Sequence, residues 1–253
     1  GSISSFVKNG EELLSSPIIL SLFRPLTEND IKDWSGIAQT RKNGLDCLSQ
    51  KVVSFKLMKN KAETEVEIST DSLGKIGDVK YVYTFEKDGK VTIKTFFMPN
   101  TESLKIVARI GLMLQMPSSF DDIVYLGKEY ETYADRNQCG FVKVCNTSPQ
   151  EMFHCYVVPQ STGNRMDTRY ATLQSETNSL KISSNKPFQF SVLPYSDANI
   201  DKAMHLNELE VEETITVHID AEQMGVGTAT CGPSVRPHYL IPLQKTSFEF
   251  VLE

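Results

Sequence analysis

Three stretches of the chain gather side chains able to bind a ligand or join a reaction. Gly127-Lys128-Glu129-Tyr130-Glu131-Thr132-Tyr133-Ala134-Asp135-Arg136 packs aromatic, acidic and basic groups together. Residues 159–169 carry Gln160, Asn164, Arg165, Asp167 and Arg169, a turn-forming stretch rich in amide and guanidinium donors. Residues 223–233 hold Gly225, Gly227, Gly232 and Pro233 with one thiol, Cys231, between apolar runs at 215–219 and 239–243. A glycine-rich link of this kind turns sharply and brings backbone close to whatever it faces. Each stretch has two readings. Asp135 with Arg136, and Asp167 with Arg169, suit loop clamps made by charge-assisted hydrogen bonds, and the glycine stretch suits a long hairpin connection. Tyr, Asn and Arg are also what a carbohydrate surface uses, since sugars need planar donors and a ring face to stack on. The glycine stretch would then be a rim loop that offers small residues and a thiol to the ligand.

Residues for covalent or metal chemistry are scattered. His154, His205, His218 and His238 form no H-x-x-x-H spacing, and no G-x-S-x-G, P-loop or dinucleotide fingerprint is present. His218 alternates within a strand and reads as structural. Glycoside cleavage needs two carboxylates across the scissile bond, and no motif singles out such a pair. Five cysteines (Cys47, Cys139, Cys145, Cys155, Cys231) with no C-x-x-C spacing argue against a zinc site and require no disulfide framework; proximity alone suggests Cys139 with Cys145. No catalytic residue, metal or cofactor is expected.

The elements that must position these stretches read as strands. Residues 52–57, 64–69, 81–85 and 91–97 alternate apolar with polar. Lys87-Asp88-Gly89 between the last two predicts a hairpin with a type I′ turn. Further strands are expected at 106–114, 123–126, 156–158, 168–173, 180–182, 188–193, 215–219 and 248–252. One helix is expected over 197–205, capped by Ser196 with Asp197 in its first turn. Short strands at regular spacing with little helical periodicity predict a single all-β sandwich. A net charge of −6 without any basic run argues against nucleic acid. No apolar stretch approaches a membrane span. Gly1-Ser2 reads as a cloning remnant, 1–19 as a tag and lead-in segment, and 20–253 as the domain.

Several motifs in order resemble the C-terminal, small-chain domain of β-galactosidases of glycoside hydrolase family 2. Phe23-Arg24-Pro25-Leu26-Thr27-Glu28-Asn29-Asp30 is similar to that domain's opening motif. Gly44-Leu45-Asp46, Tyr83-Thr84-Phe85, Arg109-Ile110-Gly111-Leu112 and Glu131-Thr132-Tyr133-Ala134-Asp135-Arg136 resemble further segments. Pro159-Gln160 with Gly163-Asn164-Arg165, then Gln223-Met224-Gly225-Val226-Gly227 with Gly232-Pro233, complete the series. The resemblance implies a large antiparallel β-supersandwich similar to galactose mutarotase. It implies a non-catalytic accessory domain that lends a loop to the sugar site of a separate TIM-barrel domain carrying the catalytic glutamates. Partners would be the remaining domains of that glycosidase and a galactoside-like carbohydrate, touched by Thr230, Cys231, Gly232, Glu131, Asn164 and Arg165. Cys231 stands where the family commonly has Trp. The alternatives are a free-standing mutarotase-like aldose epimerase, which would need a His with Glu or Asp as acid and base, and a plain carbohydrate-binding or domain-packing module.

Overall fold

The computed structural model describes every residue from Gly1 to Glu253. A two-stranded hairpin, β1 (Val7–Lys8) with β2 (Glu11–Glu12), leads into β3 (Ile19–Ser21) and two short helices, α1 (Glu28–Lys32) and α2 (Gln39–Lys42). A meander follows: β4 (Ser49–Met58), β5 (Lys61–Thr70), β6 (Gly74–Phe85) and β7 (Val91–Pro99). Next come β8 (Ile106–Val107), β9 (Arg109–Pro117), β10 (Asp122–Lys128), β11 (Val142–Thr147) and α3 (Pro149–Met152). The chain closes with β12 (Arg165–Gln174), β13 (Ser179–Leu193), α4 (Asp197–Lys202), β14 (Thr214–Gln223), β15 (Ile241–Pro242) and β16 (Thr246–Leu252).

Twelve strands form one antiparallel network that forks at β13. One edge of β13 pairs with β12, which continues through β10 to β11. On its other edge, Ile182 and Ser183 pair with β16, and from there the sheet runs through β7, β6 and β5 to β4. Residues 189–193 pair instead with β14, which leads through β9 to β3. The two branches face each other: the Leu20 N–H on β3 donates to the Tyr81 hydroxyl on β6 at 3.1 Å. Both branches feed one core of 47 buried residues. The period of two is plain on β5, where Ala62, Thr64, Val66 and Ile68 are buried and Glu63, Glu65 and Glu67 lie outside them. This is the expected all-β, antiparallel supersandwich with few helices.

Several local expectations are corrected. Residues 156–158 form no strand. The runs 180–182 and 188–193 belong to a single strand, β13, which bridges the polar stretch between them. The helix at 197 ends at Lys202, because Ala203 turns extended and buries its side chain. The β6–β7 turn has only Gly89 at positive φ, and Glu86 N–H bonds to Lys90 O at 2.9 Å. That is a three-residue loop with glycine in the left-handed position, and not type I′. β11 was missed because it is an exposed edge strand with no buried face to impose a pattern. The expected lead-in 1–19 does not stand apart: Leu13, Leu14 and Ile18 are buried in the core. All five cysteines are free thiols.

Candidate functional site

The glycine-rich link leaves the end of β14 as an irregular segment held by four parts of the chain. Its anchor is Arg24, which is fully buried with Asp30 in a bidentate pair at 3.0 and 2.8 Å. The spare N–H groups of Arg24 donate to the carbonyls of Met224 (3.0 Å) and Gly225 (2.9 Å). Asp30 also completes the capping box of α1. Its backbone N–H donates to the Thr27 hydroxyl, and its carboxylate accepts from the Thr27 N–H. Burial alone would lower the Arg24 pKa, but the Asp30 carboxylate more than offsets this and raises it. The guanidinium therefore stays charged and fastens the helix start to the base of the loop.

Asp135 grips the next turn by accepting from Val226 N–H at 3.0 Å and Gly227 N–H at 2.8 Å. Arg136 donates to the Gly227 carbonyl. Here the glycines are required: a Cβ on Gly225 would lie 2.7 Å from the Asp135 carboxyl, and Gly227 has a φ of +58°. Asn29 fixes the tip, since its amide donates to Gly227 O and its carbonyl accepts from the Thr230 N–H and hydroxyl. Asp33 accepts from Val235 N–H at 2.8 Å on the return. Asp135 and Arg136 thus act as a clamp, and what they clamp is the glycine-rich segment. Beyond it, Thr228, Thr230, Cys231, Gly232 and Pro233 are exposed.

Between this loop and residues 156–161 lies a cleft of about 200 Å³, walled by Thr27, Glu28, Asn29, Glu131, Tyr133, Arg136, Tyr156, Gln160, Ser161, Val226 and Thr230. Glu131 is held on its wall by the Tyr133 hydroxyl (2.7 Å) and the Thr162 hydroxyl (3.2 Å to each oxygen). Burial, and after it the Glu131 carboxylate, push the Tyr133 pKa well above the ordinary tyrosine value. Tyr133 therefore remains the donor. Burial and then Glu131 also raise Tyr156. The cleft offers two carboxylates (Glu28 and Glu131), one guanidinium, amides and hydroxyls around a partly aromatic wall. Such a set suits a neutral polyhydroxylated ligand. A larger cleft of about 400 Å³ lies between residues 3–8 and the β6–β7 hairpin. Its charged groups are spent on each other and on backbone, as in Lys90 with Asp88 and Glu253 and Lys8 with the Ser179 carbonyl.

The structure brings Glu131 and Thr230 to the same cleft. Cys231 and Gly232 are exposed on the loop beyond its lining. Asn164 and Arg165, expected at the ligand, are buried at 1 % and 7 % exposure and are not among the residues that wall the cleft. Asn164 donates to Thr132 O and Gln189 Oε1, both at 2.7 Å. Arg165 donates to the Tyr125 hydroxyl at 3.1 Å and to Gly163 O at 3.1 Å. Asn164 thereby ties β12's approach to the irregular segment that carries Glu131. Asn29 and Tyr156 were missed as site residues. Asn29 was legible only as part of the opening motif, and Tyr156 looked like part of a strand.

A second polar group lies buried beside α4. His218 Nε2 meets Asp197 Oδ1 at 3.0 Å, and Asp220 and Arg109 share the same layer, 3.5 Å apart. Burial works against the Asp197 carboxylate, yet the charge and hydrogen bond of His218 outweigh it and hold its pKa below the usual value. Burial raises that of Asp220. The His218 ring is 1 % exposed.

Residues 1–252 match the family model described as the β-galactosidase small chain, and the chain belongs to that family. It is 29% identical over 240 residues to a β-galactosidase of Lactobacillus delbrueckii subsp. bulgaricus, covering 93% of this chain and 23% of that protein. To a β-galactosidase of Staphylococcus xylosus it is 21% identical over 260 residues, covering 100% and 26%. The chain therefore spans about a quarter of the length of the relatives it matches. Among solved structures, HI1317 aligns at a TM-score of 0.48 and 11% identity over 100% of this chain and 84% of that one. A GalM/aldose epimerase homologue from C. elegans aligns at 0.46 and 12% over 98% and 77%.

Proposed function

We propose that this chain is the accessory, non-catalytic C-terminal domain of a β-galactosidase-like glycoside hydrolase. It completes a galactoside site from the side of a TIM-barrel domain that carries the catalytic glutamates. The observation that carries this is the clamped loop: Arg24, Asn29, Asp33, Asp135 and Arg136 hold a glycine-rich segment rigid and place Thr230 beside Glu131 in a polar cleft. Rigidity at a surface loop has a use when the loop must meet a ligand in fixed geometry. Family membership, and relatives about four times as long, support the same reading.

The epimerase alternative would need an acid and a base that a sugar can reach. The chain's buried His–carboxylate pair, His218 with Asp197, does not line the polar cleft. The purified chain should neither hydrolyse a nitrophenyl β-galactoside nor speed the mutarotation of freshly dissolved galactose. Turnover that follows the protein through purification, or faster mutarotation in a polarimeter, would refute the accessory reading. In the parent enzyme, Asn29→Ala and Glu131→Ala should raise KM several-fold.

A further inference from the structure

The outer face of the β3–β9–β14 branch carries a cleft distinct from those described above. Leu20, Leu112 and Val217 turn into the core, so their strand neighbours Ile19, Met113, Thr216 and His218 face the other way. Two covers lie over that face. One is α4, whose Asp197 meets His218, and the other is the segment after α2 with Leu45, Asp46 and Leu48. Arg41 on α2 pairs with Asp201 on α4, which ties the covers together. Between covers and sheet a cleft of about 160 Å³ is left open.

Its polar lining is Ser21, Asp46, Gln115, Ser196, Asp197 and Thr216, with no Lys, Arg or His among the lining residues. Asp197 spends Oδ1 on His218 and leaves Oδ2 for a ligand. Against the effect of burial, the charge and hydrogen bond of His218 hold the Asp197 pKa below its usual value, so this carboxylate is ionised at neutral pH. The Thr216 hydroxyl is the second sign of a ligand. Thr216 is 1 % exposed, and its Oγ1 meets no hydrogen-bond partner in the protein. A buried hydroxyl left unpaired costs stability, and this one belongs to a residue of the cleft's floor. The rest of the wall is mostly aliphatic, with Leu22, Leu45, Leu48 and Met113.

We propose that this cleft is a binding site for an aliphatic ammonium ion. The three N–H donors of an ammonium group match two carboxylates and a hydroxyl that lacks a partner. A short alkyl stem matches the aliphatic wall. Two carboxylates repel an anion, and no third His, Cys, Asp or Glu joins them to hold a metal ion. A cavity of about 150 Å³ takes a ligand of benzene's size, so the space suits an amine of about four carbons. That is also the length of a lysine side chain, so a free amine and a lysine of a partner protein offer the same chemistry.

The test titrates n-butylammonium chloride and n-butanol into the chain at matched ionic strength, followed by amide NMR. Butylammonium should shift the amides of Gln115, Asp197, Ala198 and Thr216 saturably, and n-butanol should bind about tenfold more weakly or less. Asp46→Asn should weaken the amine about threefold, as for a part-exposed ion pair. Thr216→Val should weaken it about tenfold, as for a lost hydrogen bond to a charged group. Thr216→Val should also melt no lower than the wild type, because it removes the unpaired hydroxyl. Asp46 is exposed, so Asp46→Asn keeps the test open if Thr216→Val loses stability. Nα-acetyl-lysine methylamide separates the two sources of the same group. Binding as tight as butylammonium points to a partner's lysine, and exclusion points to a free amine. Equal binding of butanol and butylammonium would reduce the cleft to an apolar gap and overturn the proposal. So would the absence of saturable shifts at these amides, or amine binding that neither variant weakens.

Discussion

Arg24 shows how much one side chain can organise. Its five donors are divided between Asp30, the carbonyls of Met224 and Gly225, and the Gln223 side-chain oxygen, so it ties α1 and the loop into one unit. Removing it leaves the Asp30 carboxylate at 0 % exposure without its counter-charge. Arg24→Met should therefore cost about 3–5 kcal/mol in urea unfolding. Arg24→Lys should recover little, because an ammonium cannot make the two-point contact and reach two carbonyls as well. A cost below about 1 kcal/mol would mean that the loop does not depend on this anchor. Residues of this kind were only partly readable from the chain. Asp135 and Arg136 were legible as a clamp only as one of two readings, since the same charged pair also suits a carbohydrate surface. Asn164 and Arg165 look equally suited to a ligand in sequence, and only burial reveals that they serve the backbone. A donor-rich side chain carries the same chemistry on either side of a wall.

At the scale of elements, the contact of α4 with β14 has a pH dependence of definite sign. The Asp197 carboxyl is held below its ordinary value of 3.8 by His218 despite burial. A carboxyl lowered on folding contributes stability that is present above the unfolded value and lost as pH falls through the folded one. Asp220 runs the other way: burial raises it, so its ionised form costs stability and protonation relieves that cost. Arg109 and His218 face both carboxylates in this layer. Comparing Asp197→Asn with the wild type reports mainly on the first group, together with the smaller relief of Asp220, which the Asp197 charge helps to raise. The variant should be less stable at neutral pH, and the two melting curves should converge as pH falls below about 3.8. A gap that stays constant to lower pH would place the effect in the cap of α4 and not in the ion pair. The strands were legible wherever one face is buried, as on β5, β6 and β7. Legibility failed at β11, where no buried face imposes alternation, and at 156–158, where Tyr156 lines a cleft and Val157 is exposed, so the apolar run has no partner strand.

At the scale of the whole molecule, the far branch of the sheet ends without cover. Val52, Phe55 and Leu57 on β4 pair with Val66, Thr64 and Ala62, the inward residues of β5. They point to the core side, yet are 47 %, 61 % and 71 % exposed. Phe85, on β6, is 40 % exposed and lines a cleft of about 370 Å³ with Val52, Phe55 and Leu57. The inner face thus continues past the point where the chain supplies a second layer, which agrees with our proposal that other domains pack on this one. Phe55→Ser with Leu57→Ser should lower binding of a hydrophobic dye and concentration-dependent association. It should leave the melting temperature within a few degrees, because little buried area is lost. A collapse of stability would show that the strip is already internal to the fold.

The fork at β13 has a consequence for how the molecule comes apart. Fifteen residues long, this strand is a member of both branches, with β16 and β14 sharing one of its edges and β12 occupying the other. Neither branch can be released while β13 keeps its remaining partners, so partial opening should be confined to strands at the free edges. Native-state hydrogen exchange should then show the paired amides of 180–183 and 189–193 exchanging only with global unfolding, while β4 and β11 open at much lower free energy. Denaturation followed by backbone and by Trp34-independent aromatic signals should give one coincident transition. Two separated transitions, one for each branch, would mean that the shared strand is a hinge and not a spine.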